Sequence, residues 1–496
     1  MTRRLVVMVG LLAVAGCVGG SYRTVAPIPA GTAVGAPRSS DSIRTFFDSL
    51  AAARAADTVG YAVSPVVTRP LPIDSLADLA WLDVLRDTVL HRLVTTALRQ
   101  NRSLAGARAA IQEYRAELGV TRSSLFPSVT LNGSWARSKV AFGTLAIPAY
   151  TAWRATGDVS WELNFWGLGK GLSAANADLA AQEASERAMA LSLVSDVATG
   201  YLQLLELDQE RTVTEQALAS ENATLSLARQ RFARGVISEL DVRQFEAQVA
   251  VPAARLAQLE QLRARQEHAL NVLLGEGPTP IPRGASLAEA AEAISVPDSV
   301  PSALLARRPD VEAAERTYAA ASARVGIADA ARLPTILITG SWGAQAQALS
   351  AVFDSNSRVY QAQVGLSIPI FTGGRLVNEG RAARARAEQA RAAYEQTTLT
   401  AMQEAGDALS GVRAARDVAA ASETQANALQ RALDLATLRY GTGLSSYLDV
   451  LDAQRSLFAA QLAASQAELD QLTAAVELYK AIGGSWPEVD SRDRRR

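Results

Sequence analysis

A single cysteine, Cys17, leaves no partner for an intrachain disulfide and no basis for a thiolate metal cluster. Histidine is nearly as scarce. His91 and His268 stand far apart, each inside a helical pattern, so neither a histidine metal centre nor histidine catalysis is expected. With no Ser/His/Asp set and no phosphate loop, no enzymatic activity and no cofactor are expected. A formal net charge of -1, with acids and bases interspersed, removes the electrostatic case for nucleic acid. Beyond the N-terminal segment no run of eighteen apolar residues occurs, so any membrane span must be β rather than α. Aromatics are only 6% while alanine is abundant, which points to a mostly helical chain with close helix–helix contacts.

What is present begins at the N-terminus. Arg3 and Arg4 precede an apolar stretch, Leu5 to Ala15, that is too short to span a bilayer. Val14-Ala15-Gly16-Cys17 resembles the lipobox of bacterial lipoproteins. Residues 1–16 therefore read as a signal peptide, Cys17 as a lipidation site carrying palmitate, and 17–72 as a lipid-anchored tether. Val18, in place of aspartate, favours the outer membrane by resemblance to sorted lipoproteins.

The rest of the chain is a duplication. Gly119-Val-Thr-Arg-Ser-Ser-Leu-Phe-Pro-Ser-Val-Thr-Leu-Asn-Gly-Ser-Trp135 aligns without gaps on Gly326-Ile-Ala-Asp-Ala-Ala-Arg-Leu-Pro-Thr-Ile-Leu-Ile-Thr-Gly-Ser-Trp342. Phe165 to Lys170 answers Ile370 to Arg375, and Arg231 to Val242 answers Arg439 to Val450. The first repeat spans 73–275, with strands about 128–136 and 157–165, and the second 301–486, with strands about 335–345 and 359–370. Residues 276–300 link them, and 487–496 form a charged tail. Each half reads as helix, strand, loop, strand, very long helix, turn, helix.

The strands alternate with period two: Val159, Trp161, Leu163 and Phe165 between polar residues, and Ala362, Val364, Leu366 and Ile368 likewise. That pattern fits a half-buried soluble sheet or a membrane barrel with a wet interior. Trp135, Trp153, Trp161, Trp166 and Trp342 all lie in the strand windows, as expected of rings at a bilayer interface. Four strands cannot close a barrel, so the barrel must be shared between chains. Leu172 to Phe232 and Leu376 to Tyr440 contain no proline and span roughly 90–100 Å as helices. The return helices carry a/d seams, Val450, Ala453, Leu457, Ala460, Ala464, Ala467 and Val242, Phe245, Val249, Pro252, Leu256, Leu259, with Pro252 expected to bend its helix.

Both hairpins turn through one pattern, Gly235-Val236-Ile237-Ser238 and Gly443-Leu444-Ser445-Ser446, followed by Asp241 or Asp449. Glycine suits the left-handed C-terminal residue, and serine with aspartate three positions on suits a capping box. Asp452 lies one turn further, opposite Gln244 in the repeat, where capping requires no acid; an acid in one half only would form a ring of like charge in a tubular assembly.

Asn101-Arg-Ser-Leu104, Trp161-Glu-Leu-Asn164, Pro301 to Asp310, Leu451 to Phe458 and Tyr479 to Trp486, in this order, make the chain resemble the TolC-like outer-membrane efflux proteins, in the OprM-like lipoprotein branch. The resemblance implies a homotrimer with a 12-stranded β-barrel continuous with a periplasmic α-barrel, and a belt from the N-terminal segment, the linker and the C-terminus. It implies an exit duct for drugs or other small molecules, working with a periplasmic adaptor and an inner-membrane transporter of the RND type. It also implies a periplasmic gate from Leu448, Asp449 and Asp452, with Arg439 and Asp241 as partners, and adaptor contact at Gly235 to Ser238 and Gly443 to Ser446. Some relatives carry arginine where this chain has Ser445, so that lock is absent. The rival readings are a structural coiled-coil lipoprotein, and a duct for metal ions or secreted polypeptides. Cys17→Ser is expected to abolish labelling by a palmitate analogue; labelling that survives contradicts the lipobox assignment.

Overall fold

A computed structural model describes residues 33–34, 87–139, 141–142, 145–146, 148–293, 300–301, 307–442 and 444–484. The signal peptide, Cys17, nearly all of the tether, Gly443 and the C-terminal tail lie outside the described residues.

Four strands form one antiparallel sheet: β1 (Ser128–Ser138), β2 (Tyr150–Leu163), β3 (Thr335–Ala346) and β4 (Arg358–Ser367), in spatial order β1-β2-β3-β4. The two repeats meet in the β2–β3 pairing, which runs from Trp153 opposite Ala346 to Leu163 opposite Ile336. β2 starts at Tyr150, seven residues before the alternation of the sequence. Tyr150 to Thr156 mixes polar and apolar residues on both faces and is strand because each position pairs with β1. β4 stops at Ser367 rather than near 370, because Pro369 offers no ladder N–H.

The sheet is not the half-buried sheet of a soluble protein. Leu131 is 88% exposed and Tyr360 86%, and Trp135, Trp342 and Val364 are exposed with them, uncovered by any described helix. An apolar face of that kind is stable against lipid, not water. Trp135 faces Trp153 across the ladder at a ring separation of 6.1 Å, near the loop end of the sheet. Trp161 and Trp166 sit at the helix end, the indole of Trp166 donating to the Pro334 carbonyl at 3.0 Å. Trp153 and Trp161 are eight residues apart on β2, about 26 Å of strand and ~20 Å of height once tilted, close to the apolar band of an outer-membrane barrel. Trp342 lies between these two levels, opposite Gly157.

Below the sheet run the helices α1 (Thr88–Gln100), α2 (Arg102–Ser123), α3 (Leu168–Ala233), α4 (Glu239–Leu274), α5 (Leu287–Ala293), α6 (Pro309–Ala330), α7 (Arg375–Gly441) and α8 (Tyr447–Ala481). α3 and α7, 66 and 67 residues, are each about 100 Å long. Each long helix is lined by two shorter ones end to end: α2 and α4 along α3, α6 and α8 along α7. The heptad positions of α4 and α8 are buried or half-buried, and α4 runs through the buried Pro252 as one helix. One stretch of α3 is apolar enough to cross a membrane by composition, but 67% of it is buried. It is the core helix, where Val194, Val197, Tyr201 and Leu204 pack against α1, Leu270, Leu472 and Tyr479.

The end-to-end joints are built from side chains. Asn101 caps α2 by accepting from the Leu104 amide at 3.0 Å, and donates to the Leu273 carbonyl at the end of α4 at 2.9 Å. In the second repeat Arg308 precedes α6 and donates to the Ala481 carbonyl at the end of α8 at 3.0 Å, while pairing with Asp310 and Glu404. The Asn101 joint thus satisfies orphan groups of two helix ends at once, while Arg308 satisfies an orphan carbonyl of α8 and makes no side-chain cap of α6. Gly275 and Gly483, with φ of +76° and +85°, let the backbones approach: a Cβ at Gly275 would lie 2.4 Å from the Gln100 carbonyl oxygen. Around this level the Ala33–Val34 strand pairs with Val300–Pro301, joining the N-terminal segment to the inter-repeat linker. Asp87 binds the linker as well, accepting from the Tyr201 hydroxyl at 2.9 Å and the Ala285 amide at 3.1 Å.

One core carboxyl makes stability depend on pH. Glu206 on α3 is buried, and burial raises its pKa to about 7, reinforced by the charge of Glu210 one turn away. The nearest cation, Arg255 on α4, is committed to both oxygens of Glu210 at 2.7 and 2.8 Å. From α8, Asp470 adds repulsion, and Ser465 lies alongside with no hydrogen bond of good geometry. A folded pKa above the unfolded value means that the folded state holds the proton more tightly, so stability is lost as pH rises from about 4.5 through 7. Glu206→Gln is expected to remove a loss of up to about 3 kcal/mol between pH 5 and 8. Thermal melts of both proteins across that range check it; parallel pH profiles contradict the assignment.

Candidate functional site

The two hairpin tips lie at the ends of the long helices furthest from the sheet. In the first, the chain leaves α3 through a left-handed Gly235 at φ +72°, with the Val236 amide bonded to the Arg231 carbonyl at 2.9 Å. Ser238 and Asp241 then form a reciprocal capping box: the Asp241 amide donates to the Ser238 hydroxyl at 3.3 Å, and the Ser238 amide to the Asp241 carboxylate at 2.9 Å. The Ser238 hydroxyl, donating to the carboxylate at 2.8 Å, and the Ser238 amide together hold the Asp241 pKa below the usual carboxylate range. Ser238, Val236 and Gly235 are exposed, and Ile237 is half-buried under the neighbouring helices.

The second tip shares the exit from its helix, the Leu444 amide bonding the Arg439 carbonyl at 2.8 Å, but not the cap. The expected box at Ser446 and Asp449 is not formed. Ser446 makes no side-chain cap bond, and the Asp449 amide goes to the Ser446 main-chain oxygen at 3.3 Å. Tyr447 stands where the first repeat has Glu239, and its ring is drawn under the helices, 4.0 Å from Phe245 on α4 and 5.5 Å from Tyr440 on α7. Asp449 is left as an exposed carboxylate with no capping duty.

Leu448, Asp449 and Asp452 share one exposed side of the first turns of α8, opposite the buried Val450 and Leu457. Leu448 is 61% exposed and Leu444, at the turn, 72%. Ser445 is half-buried with its hydroxyl unpartnered, and Ser446 is exposed. Within one chain the expected partners do not meet these acids. Asp241 is engaged by Ser238, and the exposed Arg439 has no ion-pair partner among the described residues.

What does connect the hairpins is not legible in the sequence. Arg231 on α3 donates to the Tyr440 hydroxyl and lies over its ring, 4.8 Å from the centroid. Tyr440 meets Tyr447, and Tyr447 meets Phe245, so one aromatic chain ties α3, α4, α7 and α8 just behind the tips. Burial pushes the Tyr447 hydroxyl above its ordinary range, with Glu221 facing it from α3. Glu221 is buried too, and burial raises its own pKa. The signal for this bridge was an aromatic, Tyr447, replacing an acid, Glu239, at the start of a return helix.

A lipid-facing sheet joined to two helical hairpins about 100 Å long defines a wall segment of an outer-membrane tunnel. The chain belongs to the outer membrane efflux protein family, whose model matches residues 93–276 and 300–484. It is 34% identical over 421 residues to the probable efflux pump outer membrane protein TtgC of Pseudomonas putida, covering 83% of this chain and 86% of that one. It is likewise 34% identical to the outer membrane protein OprJ of Pseudomonas aeruginosa, over 83% of this chain and 87% of that one. Among solved structures, the outer-membrane channel OprN superposes with a TM-score of 0.76 at 27% identity, over 86% of this chain and 99% of that one. The open state of the MtrE outer membrane channel of Neisseria gonorrhoeae gives 0.74 at 28%, over 86% and 98%. The protein is an outer-membrane efflux channel component.

The unequal tips are open to a local test. Asp241→Ala is expected to speed exchange of the first-turn amides of α4 about five-fold, as the loss of one cap does, while Asp449→Ala leaves α8 exchange unchanged. Hydrogen exchange by mass spectrometry reads both; equal effects contradict the unequal caps.

Proposed function

We propose that three copies of this chain close a twelve-stranded barrel and form a passive exit duct for drugs or other small molecules. One observation carries this reading: a four-stranded sheet with lipid-facing side chains and two unpaired edges, continuous with helices long enough to cross much of the periplasm. The relatives include a toluene efflux protein and an antibiotic efflux protein, both of Pseudomonas putida, which supports small apolar cargo. Outer-membrane efflux components work with an adaptor and an inner-membrane transporter. Here the adaptor docks at the two turns, Gly235 to Ser238 and Gly443 to Ser446, and the transporter is of the RND type. An acyl chain on Cys17 adds a tether.

The mouth of the duct is closed by the second hairpin. Around a threefold axis, Leu448 forms an apolar ring, and Asp449 and Asp452 form two rings of like charge that cost energy unless cations compensate. The guanidinium of Arg439, without an ion-pair partner among the described residues, supplies that compensation across a neighbouring copy, with Asp241 as a further acid for it to pair with. Such rings favour cations over anions in transit. Replacing Leu448, Asp449 and Asp452 together with alanine is expected to raise conductance and lower cation preference in planar bilayers. Unchanged selectivity and conductance in that variant overturn the gate and leave the channel itself standing.

A further inference from the structure

Behind the hairpin tips one buried acid has no ion-pair partner among the described residues. Glu221 on α3 is 8% exposed, and its Oε2 makes no hydrogen bond. It stands one turn before Leu225, which packs in one apolar cluster with Val242 and Phe245 of α4 and Tyr447 of α8. The second repeat has Leu429 at this position, half-buried, so the helix itself needs no acid there. A carboxylate in such a site without a counter-ion is strongly disfavoured.

The charges around Glu221 are committed elsewhere or face water. On α3, Glu215 pairs with Arg211 at 2.8 Å, and Arg229 reaches Glu246 of α4 at 3.0 Å. Arg243 of α4 pairs with Glu239 at 3.1 Å and with the same Glu246 at 2.9 Å. Arg231 donates to the Tyr440 hydroxyl of α7. The charged side chains of α7 and α8 near this level, Arg431, Asp434, Arg439, Asp449, Asp452 and Arg455, are all exposed. What faces Glu221 from α8 is the Tyr447 hydroxyl, whose own bond is a long one, donated to Gln454 Oε1 at 3.5 Å. That hydroxyl stays protonated, pushed up by burial and then by Glu221.

We propose that Glu221 is a proton-sensitive brace beneath the aromatic bridge that ties the two hairpins. Protonated, it is a neutral group in an apolar site, and Tyr447 stays packed on Phe245 and Tyr440. Ionised, its charge has no counter-ion and is relieved by water entering under Tyr447, so the start of α8 loosens from α4 and α7. Burial raises the Glu221 pKa, which means that the folded state holds this proton more tightly than the unfolded one. The bridge is therefore strongest below the ordinary carboxylate range and weakens as pH rises through the raised value. Acid keeps the hairpins tied, and rising pH releases them. The brace rests on contacts within one chain; its effect on current rests on the reading above that the second hairpin forms the mouth.

Hydrogen exchange by mass spectrometry on the full-length protein in detergent tests the brace, read as protection corrected for the intrinsic rate at each pH. Between pH 5 and 8 the amides from Tyr447 to Gln454 are expected to lose about fivefold protection in the parent protein. Glu221→Gln keeps the shape and removes the charge, and Glu221→Leu copies the second repeat; both are expected to flatten the profile. Glu206→Gln, about four turns up α3, is expected to leave it as in the parent. The proposal is overturned if the parent shows no pH dependence, or if both Glu221 variants keep it. It is also overturned if Glu206→Gln flattens the profile equally, which assigns the effect to the whole fold. Conductance in planar bilayers is recorded alongside, and a rise with pH that Glu221→Gln removes is expected. Loosening without a change in current contradicts the placement of the mouth and still supports the brace. Circular dichroism establishes that each variant is folded before exchange is compared.

Discussion

Everything in this molecule depends on the two open edges of a four-stranded sheet. In water such edges are solvated; in hydrocarbon each unpaired N–H and C=O costs several kcal/mol, so β1 and β4 must find partners on other chains. In the trimer proposed above, that requirement makes the chain part of a ring. It also sets the plan below the membrane. A ring of strands can continue into a ring of helices only if each protomer supplies a comparable width of wall, which α3 and α7 with their shorter partners provide.

The wall is made nearly uniform along its length by joining short helices end to end. Asn101 and Arg308 perform the same task with different chemistry, each reading the terminal carbonyls of one helix from the start of the next. Arg308 is buried against two half-exposed acids, so its loss would strand partners at the level where the linker and the N-terminal segment meet the helices. The repeats diverge at their tips: the first carries the formed capping box, and the second carries the uncapped acids and the aromatic that bridges the hairpins.

Much of this was legible in the sequence. The duplication, the four strands, the two long helices and the heptad seams follow from periodicities of 2, 3.5 and 3.6, which burial on one face enforces. What was not legible depended on partners distant in sequence. Tyr150 to Thr156 is strand only because β1 lies beside it, and Tyr447 is drawn against Phe245 of another helix. In the sequence Arg231 and Tyr440 mark only the repeat, although together they tie the hairpins. The choice between a soluble and a lipid-facing sheet was decided by exposure at Leu131 and Tyr360, which no alternation pattern specifies.

The central claim is that β1 of one copy pairs with β4 of the next until the ring closes. Disulfide mapping tests it most directly. In a Cys17→Ser background, one cysteine is moved along β1 from Val129 to Trp135, and a second is placed in β4 at Gln361 or Gln363. Mild oxidation in outer-membrane vesicles is expected to give, at matching positions of one register, a covalent species of three chains on a denaturing gel. Cross-links that stop at two chains, or none at any register, contradict a closed ring of three.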